Sequence, residues 1–190
     1  MKIKQPKYKT VTLATPFGKA GWVYVNAPKM FEGDKKAAYR AELYLTNDDA
    51  EGVIAAIEKS YASEYKAWCD EVGKKAQKAA FPWLENDGVT KFNFKVADAW
   101  PDGTSRQPEL TDMDKKPVTA NIGKDSIIRI MFRPHYYNAS AGFGVQLQPI
   151  KVQVKDLVTF GGGAAADIDF EDVSDSEALK TGTDNKEISW

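Results

Sequence analysis

The chain has one cysteine, Cys69, and one histidine, His135, in 190 residues. A single cysteine excludes an internal disulfide and fits a reducing, cytoplasmic setting. No Cys/His spacing suited to structural zinc exists. His135 has no neighbouring Ser or Cys motif with which to build a triad, and Cys69 lies beside Trp68 on a helical stretch without an electropositive setting. No apolar run approaches the roughly 18 residues that cross a membrane. The opening Met1-Lys2-Ile3-Lys4-Gln5-Pro6-Lys7 is basic with no apolar segment behind it, so it does not read as a signal peptide. Gly161-Gly162-Gly163 lacks the Lys-Ser/Thr that completes a phosphate loop and reads as a hinge. These gaps leave no catalytic residue, metal or cofactor to be expected.

What is present is an uneven distribution of charge. From Ala164 to Trp190 there are 8 acids (Asp167, Asp169, Glu171, Asp172, Asp175, Glu177, Asp184 and Glu187) and 2 bases (Lys180 and Lys186), a net charge of −6. Residues 1–163 carry 24 bases and 19 acids, a net charge of +5. A near-neutral total thus conceals a basic body and an acidic tail. The body suits a polyanion, and the tail can imitate one. Aromatic residues make up 12% of the chain, so they must fill a core or form a stacking surface.

Along the body, alternation of apolar and polar residues predominates. Residues 1–9 read as a flexible basic arm. Val11–Ala14 and Gly21–Ala27 read as strands. In Ala38–Thr46, Tyr39, Ala41, Leu43 and Leu45 share one face, with Arg40, Glu42 and Tyr44 on the other. A helix is expected next, N-capped at Asn47 or Asp48 with a capping box from Asp48 to Glu51. Its stripe of Val53, Ile57, Tyr61, Tyr65, Trp68 and Val72 is expected to pack in the core, and it should end near Gly73. Phe81–Gly88 reads as a turn region. Lys91–Ala97 alternates again, with Lys91, Asn93 and Lys95 outward. Asp98–Lys116 reads as a long loop, a feature usually functional or disordered in a compact domain.

In Ile127–Tyr137, Ile128, Ile130, Phe132 and Pro134 form an apolar face opposite Arg129, Met131, Arg133, His135 and Tyr137, and Pro134 implies an edge or bulge. After a turn at Asn138–Gly142, Phe143, Val145 and Leu147 point inward, followed by Ile150, Val152 and Val154. The fold expected is mainly β: an OB-fold, a five-stranded Greek-key barrel with one inserted α-helix, over residues 1–160, followed by a hinge and flexible acidic tail over 161–190. Outward cations interleaved with aromatics suit single-stranded nucleic acid, since a cationic groove follows the backbone and flat side chains stack on any base.

Three stretches carry a family resemblance: Tyr39-Arg40-Ala41-Glu42-Leu43, Phe92-Asn93-Phe94-Lys95, and Ile122–Gly163 with its closing Leu157-Val158-Thr159-Phe160-Gly161-Gly162-Gly163. In them the chain resembles the single-stranded DNA-binding protein of short-tailed, podovirus-type bacteriophages, from about residue 10 to the end. The resemblance implies an OB-fold that binds single-stranded DNA without sequence preference, anneals complementary strands and serves replication, recombination and repair in the cytoplasm of the infected bacterial host. It further implies a homodimer, and a tail that contacts the phage DNA polymerase and primase-helicase. The family's DNA-contacting positions match Lys9, Lys36, Lys95 and His135. His135 replaces a tyrosine, and imidazole offers less stacking area, so Tyr136 and Tyr137 are expected to share that role. Tyr137 stands where the family has tryptophan. A family arginine aligns near Val72, beside Lys74 and Lys75. The tail ends in Trp190 where the family has phenylalanine. With the outward cations, the expected interface is Lys9, Lys36, Arg40, Lys91, Lys95, Arg129, Arg133, His135, Tyr136 and Tyr137. Two rival readings stay open: an interaction protein whose acidic tail mimics DNA to inhibit a host enzyme, and a metal-dependent nuclease using Asp98, Asp102, Asp112 and Asp114.

Overall fold

The computed structural model describes residues 11–73 and 77–159. Lys9, Lys74, Lys75, the basic arm, the glycine hinge and the acidic tail with Trp190 lie outside the described residues. The elements are β1 (Leu13–Ala14), β2 (Gly18–Lys29), β3 (Ala38–Thr46), α1 (Asn47–Val72), β4 (Trp83–Asn86), β5 (Val89–Ala97), β6 (Glu109–Thr111), β7 (Ile127–Ala139) and β8 (Gly142–Asp156).

The strand order runs β7-β2-β3-β5-β8, and β8 pairs with β7 to close the ring. Four of these junctions are antiparallel; β5 and β8 are parallel and meet only at Phe94 and Leu147. Five strands closed in this order, with one parallel junction, form the expected OB-fold barrel. The helix lies between the second and third barrel strands.

Period-2 patterning decides which side chains enter the barrel. Leu43, Leu45, Phe92, Phe94, Ile128, Ile130, Phe132, Phe143, Val145, Leu147 and Val152 are all buried, as their spacing demands. The β7–β8 register shifts between Met131 and Phe132, near Pro134, which itself pairs in register with Leu147. Among the helix residues, Ala50, Val53, Ile57, Tyr61 and Trp68 are buried. Phe143 is the centre of an aromatic cluster, with ring centroids 5.5 Å from Tyr61, 5.6 Å from Tyr65 and 5.8 Å from Trp68. The Tyr61 hydroxyl donates to the Phe143 carbonyl at 2.8 Å, so the helix is tied to β8 by a directional bond as well as by packing.

Three local expectations are corrected. The N-cap is Thr46 rather than Asn47 or Asp48: its hydroxyl accepts from the Asp49 N–H at 3.1 Å and donates to the Asp49 carboxylate at 2.8 Å. The β3 strand therefore runs straight into the helix. Gly73 ends it in the left-handed region, φ 70°, and its N–H bonds to the Cys69 carbonyl. Within Phe81–Gly88, Trp83–Asn86 is a strand that pairs antiparallel with β5 across a tight turn at Asp87 and Gly88. Within Asp98–Lys116, Glu109–Thr111 is a strand parallel to β8. Both strands are short, too short for alternation to be visible. No helix among the described residues is long and apolar enough to cross a membrane.

Candidate nucleic-acid interface

The outward positions of β2, β3 and β5 form the floor of a groove of about 870 Å³. Trp22 and Tyr24 come from β2, Arg40 and Glu42 from β3, Asn93 and Lys95 from β5, and Phe31 from the β2–β3 loop. Tyr137 and Gln146 of the β7–β8 hairpin line it as well. Trp22 is 52% exposed and Phe31 42%, so both leave ring surface on which a flat partner can lie. Tyr137 lies opposite Gly144 in the register. A Cβ at Gly144 would come within 2.6 Å of the Tyr137 ring, so the missing side chain is what lets the ring lie over β8.

Arg40 and Lys95 face each other directly across β3 and β5. Two like charges at that spacing repel. Asp34, in the β2–β3 loop, resolves the conflict: its carboxylate pairs with Arg40 and accepts from Lys95 Nζ at 2.8 Å. It also accepts from the Phe31 N–H at 3.0 Å. Lys95, the Phe31 amide and Arg40 together hold the Asp34 carboxyl far below the usual carboxylate range. The Arg40 guanidinium lies 4.9 Å from the Phe31 ring centroid, a cation–π contact. The two cations are thus already arranged around one anionic group.

Lys91 is engaged differently. It pairs with Glu42 and sits 5.9 Å from the Tyr44 ring. The hydrogen bond to Glu42 raises its pKa. Glu42 also accepts from the Trp22 N–H at 3.2 Å, and a Cβ at Gly21 would come within 2.6 Å of its carboxylate. Gly21 therefore leaves room for the Glu42 side chain against β2. Lys36 is exposed two residues beyond Asp34.

Arg133 and His135 do not enter this groove. They line a second one of about 430 Å³ with Trp100, Arg106 and Gln148. Partial desolvation, and secondarily the Arg106 charge, hold the His135 pKa below its usual 6.5, so the imidazole is neutral at pH 7. Arg129 is elsewhere on the barrel, bonded to Gln153 and 4.9 Å from the Phe17 ring.

Tyr136 is a correction. It is 3% exposed, packed parallel to Phe143 at 6.3 Å, with its hydroxyl bonded to Ser60 Oγ. Parity along β7 places it with Ile128, Ile130 and Phe132, so it cannot stack on a base without leaving the core. The structure therefore gathers Arg40, Lys95 and Tyr137 in one groove with Lys91 at its margin, and Arg133 and His135 in another. Trp22, Phe31, Trp100 and Arg106 escaped the sequence reading. Their signal was weak: three aromatics near Gly21, Pro28 or Pro101 and an arginine in a polar stretch, with no periodicity to assign them a face.

Among the described residues no group of three or more His, Cys, Asp or Glu side chains could hold a metal ion. Asp102 and Asp112 serve turns instead, accepting from the Thr104 N–H at 2.9 Å and the Lys116 N–H at 2.8 Å.

Comparison with known proteins bears out the resemblance seen in the sequence. The chain is 27% identical over 194 residues to the single-stranded DNA-binding protein of Escherichia phage T7, covering 88% of this chain and 83% of that one. It is 27% identical over 164 residues to the single-stranded DNA-binding protein of Enterobacteria phage T3, covering 74% and 70%. The crystal structure of the bacteriophage T7 protein superposes with a TM-score of 0.69 at 22% identity, covering 90% of this chain and all (100%) of that one. The single-stranded DNA-binding protein of bacteriophage Enc34, solved in complex with single-stranded DNA, superposes with a TM-score of 0.60 at 14% identity, covering 85% and 96%. No protein-family model matches the chain.

Proposed function

We propose that this chain is a non-catalytic phage protein that binds single-stranded DNA without sequence preference, in the cytoplasm of the infected bacterial host. The observation that carries the proposal is the first groove. It sets two cations, Arg40 and Lys95, around an anionic group and flanks them with the aromatics Trp22, Phe31 and Tyr137. A phosphate takes the place of the Asp34 carboxylate between the two cations, and adjacent bases stack on the aromatic rings. Stacking is indifferent to base identity because every base has a π-face. The likeness to phage single-stranded DNA-binding proteins supports the same reading.

Residues 1–160 form the binding body in this proposal, acting as a homodimer, with Lys9 and Lys36 adding phosphate contacts. The acidic tail over 161–190 competes with DNA in this proposal and recruits the phage DNA polymerase and primase-helicase. The protein thereby serves replication, recombination and strand annealing. The charge contrast between body and tail supports this arrangement.

The test is a poly-dT titration followed by fluorescence quenching, repeated across salt concentrations. Lys95→Ala should weaken binding equally on all sequences and reduce the salt slope by about 0.7, the value for one phosphate contact on a single strand. An unchanged slope would remove Lys95 from the phosphate path.

A further inference from the structure

Trp100 is a large aromatic left 51% exposed on a loop, where burial elsewhere would be favourable. The loop is nonetheless tightly built. The Trp100 N–H donates to the Thr104 carbonyl at 2.8 Å, the Gly103 N–H to the Trp100 carbonyl at 2.9 Å, and the Arg106 N–H to the Asp98 carbonyl at 2.9 Å. Ala99 and Ser105 form a β-bridge. The Arg106 guanidinium lies 3.9 Å from the Trp100 ring centroid and donates to Gln148 Oε1 on β8 at 2.7 Å. One end of the pair is thereby anchored to the barrel. A half-open aromatic supported by a cation is the kind of platform on which a base stacks.

The second groove, which Trp100 lines, adjoins the first along β7 and β8. Gln146 of the first groove is the register partner of His135 of the second. A strand leaving the first groove past Tyr137 and Gln146 reaches His135 first, then Arg133 and Gln148.

We propose that the second groove is a distal nucleotide subsite, in which an unpaired base stacks on Trp100 backed by Arg106, and Arg133 holds the adjoining phosphate. This rests on the single-stranded DNA-binding reading and extends it to a residue-level path. The neutral His135 ring provides a second flat, uncharged surface beside the base.

The experiment is a ladder of labelled oligo-dT lengths, from about 4 to about 16 nucleotides, titrated by fluorescence anisotropy against the wild-type protein, Trp100→Ala and Trp100→Phe. Thermal unfolding of each variant is measured in parallel. Short oligonucleotides that fill only the first groove should bind wild type and Trp100→Ala equally. Beyond a threshold length Trp100→Ala should lose about 5- to 150-fold in affinity, the effect of deleting one stacked base, and Trp100→Phe should recover most of it. Equal affinity of Trp100→Ala and wild type at every length overturns the subsite while leaving the first-groove reading intact. A uniform loss at every length, with a lowered melting temperature, overturns it too, because it makes Trp100 a structural brace. Failure of the wild type to bind any length overturns both.

Discussion

Removing one negative charge from the groove should make this protein bind DNA more tightly. The perturbation is Asp34→Asn. In the free protein the Asp34 carboxylate neutralises part of the charge of Arg40 and Lys95, accepting from Lys95 Nζ at 2.8 Å and pairing with Arg40. An incoming phosphate must displace that carboxylate, so part of its attraction to the two cations is cancelled by the ion pairs that are lost. Because its pKa lies far below the usual carboxylate range, Asp34 stays ionised throughout the workable pH range, and only substitution removes its charge. In the Asp34→Asn variant the side chain keeps its size and an oxygen for the Phe31 N–H, but one more cationic charge faces the DNA. The salt slope should steepen by about 0.7. A fourfold rise in salt then costs the variant about 2.6-fold more affinity than it costs wild type. The advantage of Asp34→Asn is therefore greatest at low salt and shrinks as salt rises. Poly-dT titrations at several salt concentrations read both quantities. The double variant Asp34→Asn with Lys95→Ala should return the slope to the wild-type value. Weaker binding by Asp34→Asn at low salt would refute the reasoning, since it would show that Asp34 acts by holding Arg40 and Lys95 in place rather than by competing with phosphate.

Lowering the pH should tighten DNA binding through His135. Its folded pKa lies below the usual 6.5, so the unfolded chain takes up this proton first as pH falls. Folding stability from this group drops below pH 6.5 and levels off once the folded pKa is passed. A nearby phosphate favours the imidazolium, so affinity rises over the same window, and His135→Gln should abolish that rise in titrations from about pH 7.5 to about pH 5. Tyr136→Phe should leave DNA affinity unchanged and cost about 1 kcal/mol of stability, read by denaturant unfolding, because it removes the hydroxyl that bonds to Ser60 and leaves the ring in the core. Deleting Asp167–Trp190 should tighten DNA binding at low salt and abolish binding to the polymerase, measured by titration and pull-down; unaltered DNA affinity would count against competition by the tail.

The sequence by itself determined the barrel walls. Ala38–Thr46 and the inward faces of β5, β7 and β8 follow from alternation, because side-chain direction along a strand is a local property with a period of two. The same parity, applied strictly, buries Tyr136. The end of α1 at Gly73 is equally local. What only the tertiary structure decided is where loop-borne groups meet the barrel. Asp34 reaches Lys95 across 61 residues of sequence, and Arg106 reaches Gln148 across 42. The cations Arg40, Lys95 and Arg133 all read alike as outward positions on strands. Closure of the ring through β7–β8 and β5–β8 is what separates them into two grooves and gives each its own partners. Loops have no periodicity to announce their faces, and charge pairing between distant segments appears only once the chain has closed. That is why Trp100 reads as one aromatic in a polar stretch, and becomes a platform only when Arg106 is bonded to β8.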